Sequence, residues 1–214
     1  MKNIEILYED DFSIIINKPA GLAVQGGKGV KNSLDKILAE IRNPPPLLVH
    51  RLDKDTSGLI LAAKGKEAAA RFSRLLGTER QAVKQYTAIC AGRPEKKEGI
   101  INEDLIIRNS LKKSETRYKV LKSGKLDMTE FSVLELELGT GRTHQIRRHL
   151  AMNGNPILGD DKYGDFTLNK KLRKSAGLKR LLLHASRLVI KEINLDISAP
   201  PPEYFNGFLN NNLI

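Results

Sequence analysis

The chain has 214 residues, with 36 Lys and Arg against 25 Asp and Glu, giving a formal net charge of +11. Its length can bury a core, and its 40% hydrophobic fraction is too high for a disordered tail. No apolar run approaches the roughly 20 residues of a membrane span. The opening MKNIEILYEDDF is acidic where a secretory signal would be apolar. The single cysteine, Cys90, excludes an internal disulfide and a cysteine-rich zinc site, which fits a reducing cytoplasm.

Ile4 to Tyr8 and Ser13 to Ile16, separated by Glu9 to Asp11, predict a hairpin of two short strands. Lys18-Pro19-Ala20-Gly21 reads as a turn, and Gly26-Gly27-Lys28-Gly29 as a flexible loop. Ser33 before Leu34, Ile37, Leu38 and Ile41 predicts an N-capped helix that ends before Pro44 to Pro46. Val49 to Lys64 reads as strand, loop, strand, and Lys66 to Leu76 as a helix. Lys84 to Ala91 is a strand with Tyr86, Ala88 and Cys90 on one side. Glu115 to Leu138 holds two more, and Leu134, Leu136 and Leu138 alternate with Glu135 and Glu137 as on a sheet with one buried face. A helix from about Thr143 to Met152, a Gly/Asp-rich loop, a strand from Leu181 to Ile190 and a short terminal helix after Pro200 to Pro202 complete the chain. Many strands without regular βαβ alternation predict an α+β fold with a mixed, largely antiparallel central sheet flanked by helices. No repeat or linker composition interrupts it, so residues 1–214 are expected to form a single domain.

Charge is unevenly placed. Between Arg142 and Arg187 there are eleven Lys and Arg and three acids, Asp160, Asp161 and Asp165. A clustered cationic excess of this kind favours a polyanion, because neutralised phosphates release counterions. Gly21 to Gly29 lacks the spacing of a phosphate loop. The four histidines, His50, His144, His149 and His184, have no metal-ligand spacing. Asp160-Asp161 reads as a turn, with Mg²⁺ ligation the less favoured reading. A Mg²⁺ nuclease using Asp53, Asp160 and Asp161 is accordingly a rival to weigh, as is a non-catalytic RNA-binding or ribosome-assembly protein. Two polar runs stand out. His50 to Gly58 (HRLDKDTSG) lies between apolar strands, where a rigid sheet supports a functional loop. Gly141 to His149 (GRTHQIRRH) opens a helix.

Together with Lys84 to Gly92 (KQYTAICAG), Asn155 to Gly164 (NPILGDDKYG) and Leu182 to Leu188 (LLHASRL), these runs resemble the RluA/RluC/RluD-type pseudouridine synthases, in that family's order and spacing. The resemblance extends from about Ile4 to Phe208. It implies the pseudouridine synthase fold and a cofactor-free, metal-free isomerisation of uridine in RNA. Asp53 would be the catalytic carboxylate, Arg147 its ion-pair partner and Tyr86 the residue stacking on uracil. Arg51 would enter the RNA stack as the base leaves, and Arg142, Thr143 and His144 would contact substrate around the pocket. Arg148, Lys170, Lys171, Arg173, Lys174, Lys179 and Arg180 are candidates for contacts to the RNA backbone. The Ala23 to Gly27 stretch leans towards the RluC-like branch and large-subunit ribosomal RNA, with transfer RNA as the runner-up substrate. Many relatives carry an N-terminal RNA-binding domain; here the first catalytic strand is expected almost at Met1, so that domain is expected either to be absent from this branch or to have been trimmed away. A monomer suffices for the chemistry.

Overall fold

Asp10 closes the first hairpin of the computed structural model, which describes residues 4–27, 29–126 and 129–212. The Asp10 carboxylate accepts from the Phe12 and Ser13 amides at 2.9 and 2.6 Å and from the Tyr8 hydroxyl at 2.9 Å. These bonds fix a tight polar turn between β1 (Glu5–Glu9) and β2 (Ser13–Lys18). Helix α1 (Leu34–Ile41) follows. Ser33 occupies its N-cap position, but its hydroxyl donates to Asp35 rather than capping the backbone, which corrects the expected cap. Asp35 in turn accepts from the Gly26 amide, so these side chains tie the preceding loop to the helix. Lys28, in that loop, lies outside the described residues.

After β3 (Leu47–Leu48) and the polar run comes β4 (Ser57–Ala63), a strand buried at every position, and then α2 (Lys66–Leu76). The backbone groups into two compact units, the first made of residues up to Lys84 with Ala185–Pro200. Its core gathers Ile15, Leu59, Leu61, Phe72, Leu75, Leu188, Ile190 and Leu195. Each such side chain stabilises the fold by about 1.5–3 kcal/mol on burial.

The second unit comprises Gln85–His184 and the segment from Pro201. Strand β5 (Ala82–Ala91) leads into it, followed by β6 (Glu98–Ile101), β7 (Leu105–Ile107), β8 (Ser110–Lys112), β9 (Thr116–Leu126) and β10 (Thr129–Leu138). Helices α3 (Gln145–Met152) and α4 (Phe166–Ser175) come next, and β11 (Leu183–Ile190) returns the chain to the first unit. Strand β12 (Leu195–Ser198) pairs with β11, and α5 (Glu203–Asn212) belongs to the second unit. Because β5 and β11 run unbroken from one unit into the other, no linker composition marks the division.

In the first unit β2 pairs with β1 and β4, and in the second β10 pairs with β5 and β9 while β6 pairs with β9. These ladders are antiparallel, and a parallel bridge joins Ala23 to Ser33. The fold is α+β with a mixed, largely antiparallel sheet flanked by helices. The alternation in β10 buries Leu134, Leu136 and Leu138, but Phe131 to Val133 are buried in succession, so that end is covered on both faces. Strands β6, β7, β8 and β12 and helix α4 are additions to the sequence reading. The β7–β8 turn is made by Arg108 and Asn109, both at positive φ without a glycine to signal it. Helix α4 is capped by Asp165, whose carboxylate accepts from the Leu168 amide at 2.9 Å.

Candidate active-site elements

The HRLDKDT part of the run forms an irregular loop between β3 and β4, which begins at Ser57, and in it Leu52 is buried, Arg51 exposed and Asp53 half-buried. Burying Leu52 turns its two neighbours outward, as expected for an extended segment. The loop is pinned from below by Lys18. This lysine is fully buried at the end of β2, and its ammonium donates to the carbonyls of Pro19, Leu22 and Lys54 at 3.0, 2.9 and 3.1 Å. A buried ammonium is tolerated when its protons are matched by acceptors. The Gly21 amide also donates to the Lys54 carbonyl, so the turn read at Lys18–Gly21 is a clamp on the residue after Asp53.

Two more residues fix the same run. The His50 Nε2 accepts from the Leu61 amide at 2.8 Å, which places the ring proton on Nδ1. Desolvation and then the nearby Lys84 charge push His50 down to about 4. Because the folded value lies below the ordinary one, His50 stabilises the fold fully above pH ~6.5 and loses that contribution as pH falls towards 4. The expected cost is about 2 kcal/mol between pH 7 and 4.5. Urea midpoints at the two pH values should show it in the wild type, and a smaller drop in His50→Gln, whose amide oxygen can still accept from Leu61. Equal drops in both proteins would refute this role. Gly58, at φ 107°, lets β4 begin against the backbone of Ala185, where a Cβ would come within 2.2 Å of the carbonyl oxygen.

In the second unit, GRTHQIRRH begins with exposed Arg142 and Thr143 and a half-buried His144 in the left-handed conformation, φ 53°. Helix α3 therefore starts at Gln145 rather than Thr143, with His144 as its N-cap. Buried Gln145 organises the entry. Its carbonyl oxygen accepts from the Thr140 hydroxyl and the Arg142 amide at 2.6 and 3.0 Å, and its amide nitrogen donates to Glu115 and Thr116. Arg142 also donates from Nε to the Lys113 carbonyl at 3.2 Å. His149 is fully buried: its Nε2 meets the Glu103 carbonyl and its Nδ1 the Thr116 hydroxyl, both at 3.0 Å, and burial lowers its pKa.

Arg147 is buried and meets Asp160 bidentately, Nε to Oδ2 and Nη2 to Oδ1, both at 2.8 Å. Asp160 is 1% exposed and also accepts from the Lys162 and Tyr163 amides at 2.9 and 3.0 Å. Burial opposes ionisation of Asp160, but the Arg147 guanidinium and the two amides outweigh it and hold the carboxyl below its usual range. The favoured turn reading of Asp160 is met by the Lys162 and Tyr163 amides, and the carboxylate is further committed to Arg147, which donates two of its four hydrogen bonds. This pairing assigns the Nε/Nη2 edge of a guanidinium for which the sequence named only Asp53 as partner. Among the described residues no three His, Cys, Asp or Glu side chains converge as a metal site.

Tyr163 completes the group, its ring centroid 5.3 Å from the Arg147 Cζ and its hydroxyl 3.0 Å from the His144 Nδ1. The sequence reading passed over both Lys18 and Tyr163. Tyr86 is buried in β5 opposite Leu136. Lys170, Lys171, Arg173 and Lys174 are exposed on α4, and Lys179 and Arg180 are exposed just beyond it. Arg148 is half-buried and donates to the Ile106 carbonyl at 3.0 Å.

The family model "RNA pseudouridylate synthase" matches residues 12–152. A protein of Haemophilus ducreyi named "Ribosomal large subunit pseudouridine synthase C" is 40% identical over 191 residues, covering 84% of this chain and 59% of its own length. One of the same name from Rickettsia bellii is 38% identical over 223 residues, covering 94% of this chain and 69% of its own. The chain thus spans about three fifths of the length of the H. ducreyi relative. The solved structure "Human RNA Pseudouridylate Synthase Domain Containing 4" superposes with a TM-score of 0.82 at 29% identity, covering 96% of this chain and 92% of that one. With its sequence motifs and its fold both matched, this chain belongs to the RNA pseudouridylate synthase family.

Proposed function

We propose that the chain is an RNA pseudouridine synthase that isomerises uridine in large-subunit ribosomal RNA. The observation that carries this reading is family membership, combined with a half-buried Asp53 on a loop clamped at Lys54 by Lys18. In the isomerisation the N1–C1′ bond breaks, uracil turns, and C5 bonds to C1′. The C5 proton leaves and N1 gains one. Atoms and electrons balance without an oxidant, a reductant or a consumed cofactor. A carboxylate is the group such a route needs, whether it attacks the sugar or the base or removes the C2′ proton.

Asp53 takes that part. Arg147 is assigned the part of a cationic site residue, and a guanidinium held along one edge by Asp160 suits a fixed charge better than a mobile one. Tyr86 offers a ring on which uracil can stack. Exposed Arg51 is assigned to base extrusion, and Arg142, Thr143 and His144 to substrate binding. The exposed cations of α4 and the residues after it bind phosphates. A monomeric enzyme in the cytoplasm completes the reading. Pseudouridine mapping of total RNA from a strain lacking the protein tests it: a missing site in large-subunit ribosomal RNA is expected. An unchanged map would refute the activity, and a site missing only from transfer RNA would refute the substrate.

A further inference from the structure

Tyr163 sits where three separate contacts meet, and none of them is needed to fill a core, since the residue is only half-buried. Its amide donates to the Asp160 carboxylate at 3.0 Å, its ring lies 5.3 Å from the Arg147 Cζ, and its hydroxyl is 3.0 Å from the His144 Nδ1. The rings of His144 and Tyr163 meet edge to face, with centroids 5.6 Å apart and planes at 75°. His144 is a non-glycine residue in the left-handed conformation, φ 53°, which surrounding contacts must sustain. Asp160 holds one edge of the Arg147 guanidinium in its own plane, whereas an aromatic face restrains the cation from out of plane. These are complementary restraints, and both originate in the Gly159–Gly164 turn. Gly159 lies at φ 77°, where a Cβ would come within 2.1 Å of the Arg180 carbonyl oxygen. At Gly164 a Cβ would stand 2.4 Å from the Asp160 carbonyl oxygen. The turn therefore has little freedom to move the tyrosine elsewhere.

We propose that Tyr163 is a positioning residue with two separable functions: its ring fixes the guanidinium of Arg147, and its hydroxyl latches His144 in the left-handed conformation that presents the imidazole to RNA. The proposal rests on the isomerase reading for its catalytic half, and its geometric half can be tested without turnover. The ring and the hydroxyl act on different neighbours, so two substitutions divide them. Tyr163→Phe keeps the ring and removes the latch, and Tyr163→Leu removes both.

The experiment combines steady-state kinetics on ribosomal RNA with NMR of the Arg147 Nε–H, assigned through Arg147→Lys. In the wild type this proton should give a sharp, slowly exchanging resonance, because it is buried on Asp160. Tyr163→Phe should keep the resonance and kcat while KM for RNA rises about fivefold through His144. Tyr163→Leu should broaden the resonance and lower kcat about tenfold as well. Thermal melts accompany each variant. Wild-type kcat, KM and resonance in both variants would overturn the proposal. So would equal losses in the two variants that merely track a fall in melting temperature. Absence of turnover in the wild type would refute the isomerase reading instead, and the Arg147 resonance in the two variants would still decide whether the ring fixes the guanidinium.

Discussion

Asp53→Asn should abolish release of tritium from RNA labelled with [5-³H]uridine while leaving RNA affinity within about twofold of the wild type. The substitution keeps the size of the side chain and the loop that carries it. That loop is held by groups other than the Asp53 carboxylate: the Lys18 ammonium on the Lys54 carbonyl, the Thr56 amide on the Asp53 carbonyl, and buried Leu52. What disappears is the anion, and an amide can neither act as the nucleophile nor accept a proton at neutral pH. The loss should therefore fall on kcat, to about a thousandth or less of the wild type. Because the exposed cations that meet phosphate are untouched, filter binding and its salt dependence should persist. Turnover by Asp53→Asn at the wild-type rate would remove Asp53 from the chemistry.

Asp160→Asn should markedly destabilise the protein. The asparagine oxygen can still accept from the Lys162 and Tyr163 amides. That oxygen also keeps the Arg147 Nη2 as donor, but the NH₂ group in place of Oδ2 would meet the Arg147 Nε donor to donor. The two side chains are 9% and 1% exposed, so this clash would lie largely out of water. Breaking one side of a buried pair costs about 3–5 kcal/mol, and a destabilisation of about 3 kcal/mol is expected here because Asn keeps three of the four hydrogen bonds. The sign with pH follows from the carboxyl lying below its usual range. The wild-type pair stabilises the protein at neutral pH and loses this contribution as pH falls below ~4, so the difference between wild type and variant should shrink in acid. Denaturant midpoints at pH 7 and pH 3.5 measure this. An Asp160→Asn protein as stable as the wild type at pH 7 would contradict the account of the pair.

Local pattern carried much of this in the sequence. Alternation and β-branching located β1, β2, β4, β9 and β10, and the 3.6-residue spacing located α2 from end to end. The polar run around Asp53 was legible because it interrupts two apolar stretches. What was missed depends on partners distant in sequence. Lys18 reads as part of a turn until its ammonium is seen on a carbonyl 36 residues away. Asp160 reads as a turn residue, as it is, but its ion pair stays hidden because Arg147 lies 13 residues back across a loop. The start of α3 was misplaced because His144 takes a left-handed conformation, which composition does not signal. Short strands such as β7 and β8 escape for a similar reason, since a three-residue strand carries too little alternation to be recognised.

The central claim is that this chain by itself converts uridine to pseudouridine in large-subunit ribosomal RNA, and tritium release by the purified protein tests it most directly. With unmodified [5-³H]uridine-labelled large-subunit RNA as substrate, the account predicts release that rises to a plateau at a fixed number of equivalents per RNA, with pseudouridine at the corresponding sites and no effect of EDTA once the RNA is folded. RNA that is bound by the protein but loses no tritium at any protein concentration would contradict it.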